Sequence, residues 1–304
     1  MDCPFCYNVW KDSGNKVPKD LPLHKLQRLA DQLASAHPES VTLTGGEPLC
    51  RPDLHRVVEL LVKRGIKVGI ATNGILLDDA RTVELASSGA EWFEISIPAV
   101  SRATYREITG TDGAGAMKRA LRVAGASGAA LSVSHVLTAH NAHETTLAMD
   151  LAHAFGAVSF AVNRFVPTGA GSGRRDLFPD QELLSKTLDQ ILKRALKTAG
   201  MKVYAGIPLE PCRFLRGEFP GIGSSGCVCG GKKWALGSDG SLRVCEQSPE
   251  ILGNLLSKSF QEPTAQPFVS RFREWKRFPK CEDCGLLNSC RGGCRYMSEV
   301  EDQS

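Results

Sequence analysis

No apolar run in the chain approaches the roughly 20 residues that a membrane-crossing helix needs, so no such span is expected. Nor is there a basic stretch interleaved with aromatics. The 37 Lys and Arg stand against 33 Asp and Glu, and a scattered excess of +4 argues against a nucleic-acid surface. The opening residues, MDCPFCYNVWKDSGNK, lack both the basic region and the apolar stretch of a secretory signal, and a cytoplasmic location is expected. Internal repeats and low-complexity tracts are also missing. Cysteine is absent from the whole middle of the chain, with more than 160 residues between Cys50 and Cys212. A disulfide framework running through the molecule is therefore not expected; thiols gathered at the two ends read instead as metal ligands.

A length of 304 residues, 42% of them hydrophobic, permits one large α/β domain with a small appendage. Short apolar runs at 41–44, 66–72, 92–97, 130–138, 158–165 and 201–206 read as strands. Between them, amphipathic segments at 23–36, 52–64, 78–88, 115–127, 143–155 and 181–198 read as helices. Alternation at this spacing predicts parallel βαβ units: a TIM-like full or partial barrel, with a doubly wound sheet as the other possibility. The polar and glycine residues follow strand ends, at Gly45-Gly46-Glu47, Asn73-Gly74 and Asn163-Arg164, where ligands sit in such folds. Beyond about residue 207 the composition turns to Pro, Gly, Ser and Cys with little periodicity. Apolar burial alone would not fold that segment, and cysteine-bound metal is a reasonable staple. The domain boundary is placed there: 1–206 and 207–304.

Two cysteine groups carry the chemistry. Cys3-Pro-Phe-Cys6-Tyr-Asn opens the chain, followed by Thr-Gly-Gly-Glu-Pro at 44–48 and Ala-Thr-Asn-Gly at 71–74. Together they resemble the radical S-adenosylmethionine (SAM) superfamily, whose signature is CxxxCxxC followed by a GGEP-like turn. Its first cysteine would fall four residues before Cys3, upstream of Met1, so the chain is expected to begin inside the motif and to lack the first barrel strand. With two of three ligands, the polypeptide as written is expected to bind that cluster poorly and to be inactive as a fragment.

The second group is Cys281-x2-Cys284-x5-Cys290-x3-Cys294, preceded by Gly240-x4-Cys245, with Cys227 and Cys229 upstream. It resembles the SPASM extension of the same superfamily.

The resemblance implies a partial (β/α)6 TIM-like barrel with a cysteine-rich iron–sulfur extension. Three thiolates would hold a [4Fe–4S] cluster and leave one iron open to SAM. Reductive cleavage would then give a 5′-deoxyadenosyl radical that abstracts hydrogen from a substrate, the cofactors carrying the difficult step. Gly45, Gly46 and Glu47 are implied at the SAM amino end, with Ser96, Asn73, Asn163 and Tyr7 or Phe5 as further SAM contacts. The motif residue often found two positions after the serine is Asp, where this chain has Pro98.

In the extension, Cys245 and Cys294 with Cys229 or Cys227 and Cys212 would hold one auxiliary cluster. Cys281, Cys284 and Cys290 would hold a second. The implied partners are a peptide or small-molecule substrate and an electron donor of flavodoxin or ferredoxin type. Side chains of peptides or proteins are the first substrate class, tetrapyrroles or small metabolites the second.

Zinc remains open for the C-terminal thiols, since four cysteines at such spacing suit a tetrahedral structural site, and a zinc-stabilised binding protein is the rival reading. An iron–sulfur protein devoted to electron transfer without SAM is another. Cys50 reads as a packed thiol, and His135, His140 and His143 as structural. Arg164 and the loop 166–171 are candidates for substrate or SAM-carboxylate contact.

Overall fold

The computed structural model describes residues 3–8, 20–214, 222, 226–274 and 281–297. Six parallel strands pair in sequence order: β1 (Ser40–Leu43), β2 (Lys67–Thr72), β3 (Ala90–Ser96), β4 (Ala130–Leu137), β5 (Ser159–Arg164) and β6 (Lys202–Ala205). Four fall within the expected runs, while β1 begins one residue and β3 two residues before theirs. Parallel neighbours require crossovers, and these are helical: α1 (Leu23–Ser35) precedes β1, and α2 (Leu54–Val62), α3 (Asp79–Ser87), α4 (Arg102–Thr109), α5 (Ala114–Gly125), α6 (Thr145–Ala154) and α7 (Gln181–Ala195) follow.

The period-2 alternation of the strands sorts their side chains. Val68, Ile70, Phe93, Ile95, Leu131, Val133, Phe160 and Val162 are buried under the helices. The opposite face carries Ala71, Glu94, Ser96, Ser132, Ser134, Ser159, Asn163 and Tyr204, all only half-buried. Glu94 on β3 and Tyr204 on β6 act on one another although β4 and β5 lie between them in the sheet. The sheet is therefore curled, and this second face is the lumen of a partial barrel.

The helix α4 lies in a segment with no expected element. Its threonines and short length hide any apolar period, but its ends are marked: Ser101 accepts from the Thr104 amide, and Gly110 closes it in the left-handed region at φ 69°.

After β6 the chain forms only short elements: α8 (Pro211–Phe214), an antiparallel sheet of β7 (Ala235–Leu236), β8 (Ser241–Arg243) and β9 (Gly253–Asn254), then α9 (Gln261–Thr264), α10 (Pro267–Glu274) and α11 (Leu287–Cys290). Leu242 and Leu255 of this part pack on Leu29 of α1, fixing it against the barrel. Among the described residues no helix is long and apolar enough to cross a membrane.

Candidate active site

The strand ends on the carboxyl side of the sheet converge with the first cysteines. The Cys6 amide donates to the Cys3 carbonyl at 3.1 Å, closing a tight turn, and the Cys6 carbonyl accepts from the Ala170 amide at 2.9 Å. Gly169 allows this approach: it is left-handed at φ +59°, and a Cβ there would stand 2.6 Å from the backbone of Cys6, Tyr7 and Asn8. The loop after β5 thus seats the thiol turn.

At the end of β1, Gly45 and Gly46 have no heavy atom within 4 Å of a would-be Cβ, so open space stands over this turn. Glu47 is anchored. Its Oε1 accepts from the Thr72 hydroxyl at 2.6 Å and the Leu49 amide at 3.1 Å, and its Oε2 accepts from the Asn73 amide at 2.9 Å. Asn73 in turn accepts from the Ile75 amide through its side-chain oxygen at 2.9 Å. Both residues therefore hold the β1 and β2 ends in register, leaving the backbone of Gly45 and Gly46 as the open surface.

Ser96 ends β3 on the lumen face, paired with Ser134 of β4. Asn163 of β5 reaches the Ser134 hydroxyl at 3.0 Å. These three residues line one wall, and the Ser96 hydroxyl has no hydrogen-bond partner among the described residues. Tyr7 is half-buried and hydrogen-bonds to the Thr44 side chain; burial pushes its phenol pKa up. Phe5 packs against the main core.

Four lumen residues outside the sequence motifs complete the chamber. Lys233 pairs with Glu246 at 2.6 Å, and its side chain is 48% exposed. Glu246, Cys229 and Cys245 nevertheless act on it, and it acts on Glu94, Tyr204 and Tyr7. A side chain both open to solvent and ringed by groups from four parts of the chain lines a concavity. Burial would lower the Lys233 pKa, but the Glu246 carboxylate wins and holds it up. Glu94 has its carboxyl pKa pushed up by burial. The signal for Glu94 was present in the sequence: it stands two residues before Ser96 on one strand, hence on the same face.

The C-terminal thiols form a second centre. Cys229 is in hydrogen-bonding contact with both Cys227 and Cys245, and Cys227 acts on Cys294. Val244, Leu252 and Phe272 enclose the first three. Contact with Cys229 and burial push Cys227 up; at Cys229 the bond with Cys227 lowers the pKa, but contact with Cys245 and burial outweigh it, and burial pushes Cys294 up to about 11. Cys212 is exposed and acts on Cys290. The structure thus draws Cys227, Cys229, Cys245 and Cys294 together and sets Cys212 beside Cys290 rather than adding it visibly to the first four. Cys281 and Cys284 share a turn, the Cys284 amide facing the Cys281 carbonyl at 3.5 Å.

Arg164 is turned away from the chamber mouth: its guanidinium pairs with Glu210 at 2.5 Å, both side chains 2% exposed. It links β5 to the start of the extension. His135 is buried, its ring bonded to the Ile97 carbonyl at 2.7 Å and Thr145 at 3.1 Å, while His140 pairs with Glu107 at 3.0 Å on the surface. Cys50 is exposed.

Comparison with known proteins bears on this arrangement. The profile of the "Radical SAM superfamily" matches residues 1–151, which spans the thiol turn, the glycine turn and Ser96. The chain belongs to the radical SAM superfamily.

Among its relatives, the AdoMet-dependent heme synthase of Methanosarcina barkeri is 26% identical over 97% of this chain and 87% of its own. Mycofactocin maturase MftC of Mycobacterium tuberculosis is 27% identical over 95% of this chain and 74% of its own. The crystal structure of Streptococcus suis SuiB bound to SAM superposes with a TM-score of 0.78 at 18% identity, covering 96% of this chain and 69% of SuiB. A second SuiB structure, bound to precursor peptide SuiA, superposes at 0.74.

As a radical SAM enzyme the protein works with a [4Fe–4S] cluster and SAM. The donor set at the strand ends fits them: soft thiols from Cys3 and Cys6, and glycine backbone with open space beside them.

Proposed function

We propose that this radical SAM enzyme oxidises or crosslinks a peptide side chain held in the barrel lumen. The observation that carries the reading is the meeting of the Cys3–Cys6 turn, the open Gly45–Gly46 turn and the Ser96 hydroxyl above a polar lumen lined by Glu94, Tyr204, Lys233 and Glu246. When bound, the cluster supplies the electron that cleaves SAM to a 5′-deoxyadenosyl radical. The chain's own part is positional. Cys3 and Cys6 ligate the cluster, the Gly45 and Gly46 backbone receives the SAM amino end, and Ser96 with Tyr7, Asn73 and Asn163 borders the nucleoside. Glu47 holds that turn against β2. The lumen walls orient the substrate and keep bulk water from the reacting carbon.

The C-terminal thiols are assigned to auxiliary clusters. Cys227, Cys229 and Cys245, packed among apolar side chains, offer four soft donors together with Cys294, and Cys281, Cys284 and Cys290 are the second set, Cys290 standing near Cys212. Among the described residues no group of three His, Cys, Asp or Glu is arranged to hold a single metal ion. A cluster spreads its thiolates over separate irons and does not require convergence on one point. Lys233 acts on Cys229 and Cys245 of this centre and on Glu94 of the lumen, which supports an auxiliary site beside the substrate. The extension and its clusters are of the SPASM kind, the electron donor is a small flavodoxin or ferredoxin, and the compartment is the cytoplasm, where thiols stay reduced.

Metal analysis tests the assignment. After anaerobic iron–sulfur reconstitution, Cys3→Ala/Cys6→Ala protein is expected to retain iron and sulfide on the C-terminal thiols. Retained zinc without iron would contradict it. The heme synthase relative favours a second reading, action on a tetrapyrrole; short peptides against porphyrins as stimulants of 5′-deoxyadenosine formation decide between them.

A further inference from the structure

The register of the barrel sets its lumen side chains in layers. One layer holds Ser96 and Ser134 at the strand ends. The layer beneath runs through Ala71, Glu94, Ser132, Ser159 and Lys202 on successive strands. Two residues of strand separate the layers, about 6.6 Å. Below Glu94 the floor is closed: the indole of Trp92 lies so tightly over Gly69 that a Cβ there would stand 1.8 Å from the ring. Glu94 is flanked by the small side chains of Ala71 and Ser132, which leave room beside its carboxyl.

The charges that act on one another around Glu94 do not balance. They are two carboxyl groups, Glu94 and Glu246, and one ammonium, Lys233; Lys202, on the edge strand, is exposed and does not act on Glu94. The ammonium is bonded to Glu246. Lys233 acts on Glu94 only from a distance, and Glu94 makes no hydrogen bond or ion pair within 4 Å among the described residues. Ser132, its neighbour, accepts from the Ser159 hydroxyl at 2.9 Å and makes no hydrogen bond to Glu94, and Ser159 is also bonded to Tyr204. A partly buried carboxylate without a partner loses hydration and gains nothing in return. Such a group persists where a ligand supplies the missing charge.

We propose that Glu94 is a specificity-determining residue that takes a positively charged group of the substrate, an alkylammonium or guanidinium such as a basic peptide side chain presents. The proposal rests on the radical SAM peptide reading and names a substrate feature for that site. SAM is also a cation, but its implied contacts are at the strand ends, one layer above Glu94. The cation at Glu94 is therefore the substrate's, lying deeper in the lumen than the nucleoside, with Lys233 and Glu246 closing the space from the side of the extension.

The test uses fragments, since the substrate is unidentified. Binding of n-butylguanidinium and n-butylammonium to the reconstituted protein is measured by ligand-observed NMR, with and without saturating SAM; 1-butanol is the uncharged control. The expected result is cation binding that persists in the presence of SAM, weakens about tenfold or more in Glu94→Gln, and is partly restored in Glu94→Asp. The uncharged control should not distinguish the variants. Equal cation binding by wild type and Glu94→Gln would overturn the proposal, as would its loss on Glu246→Gln alone. Displacement of the cations by SAM, with weakened SAM binding in Glu94→Gln, would also overturn it by making SAM the occupant. Circular dichroism of each variant separates these results from misfolding. SAM cleavage by the unaltered protein reports separately on the reading of the site itself.

Discussion

His135 and Glu144 show how single side chains set the acid sensitivity of the barrel. Burial drives the His135 pKa down to about 4, against the Ile97 carbonyl and Glu144, which oppose the shift. The folded protein keeps the ring neutral where the unfolded chain, near the ordinary 6.5, takes a proton. Stability therefore falls as pH drops from about 6.5 towards 4. Denaturant titrations should show the advantage of wild type over His135→Gln shrinking by about 3 kcal/mol between pH 7 and 4; a pH-independent difference would contradict it.

Glu144 belongs to a lower window. Burial would raise its pKa, but hydrogen bonds from Ser101, Thr104 and Val100 hold it at about 2. That contribution is present above about 4.5 and lost as pH falls through about 2. Glu144→Leu should cost about 1–3 kcal/mol at neutral pH, since it strands the Val100 and Ser101 amides. At this scale the strand motifs were legible because alternation fixes which face a residue takes. The anchoring of Glu47 was not, because Thr72 and Asn73 meet it only when β1 and β2 pair.

Between elements, two joints matter. Gly169 lets the loop after β5 press on the Cys6 turn. Gly169→Ala meets both a left-handed backbone and a 2.6 Å overlap, so the thiol turn must move. Reconstituted Gly169→Ala protein should lose iron from the first site while remaining folded by circular dichroism; full iron content with unchanged SAM cleavage would show that the joint is dispensable.

The second joint is the buried Arg164–Glu210 pair between β5 and the extension. Arg164→Met leaves a carboxylate buried among the C-terminal thiols and should cost about 3–5 kcal/mol, with Arg164→Met/Glu210→Met recovering much of it in thermal unfolding. The six strands and most helices could be read from apolar periodicity, to within a few residues. The helix α4 and the strands β7 to β9 could not: α4 is threonine-rich, and strands of two or three residues carry no period.

At the scale of the molecule, one centre is built where the parallel strands end and a second where the extension folds over the lumen, with Lys233 and Glu246 between them. Cysteine spacing singled out both groups of thiols in the sequence. Spacing puts Glu94 on the Ser96 face, but its meeting with Tyr204 and Lys233 was silent there, because barrel curvature brings the three together. The central claim is that Cys3 and Cys6 make this chamber a site of reductive SAM cleavage. The measurement is dithionite-dependent 5′-deoxyadenosine formation by anaerobically reconstituted protein, compared with Cys3→Ala and Cys6→Ala. The account predicts product from the parent and at least a hundredfold less from either variant. Product undiminished by both substitutions, or none from an iron-replete parent, would contradict it.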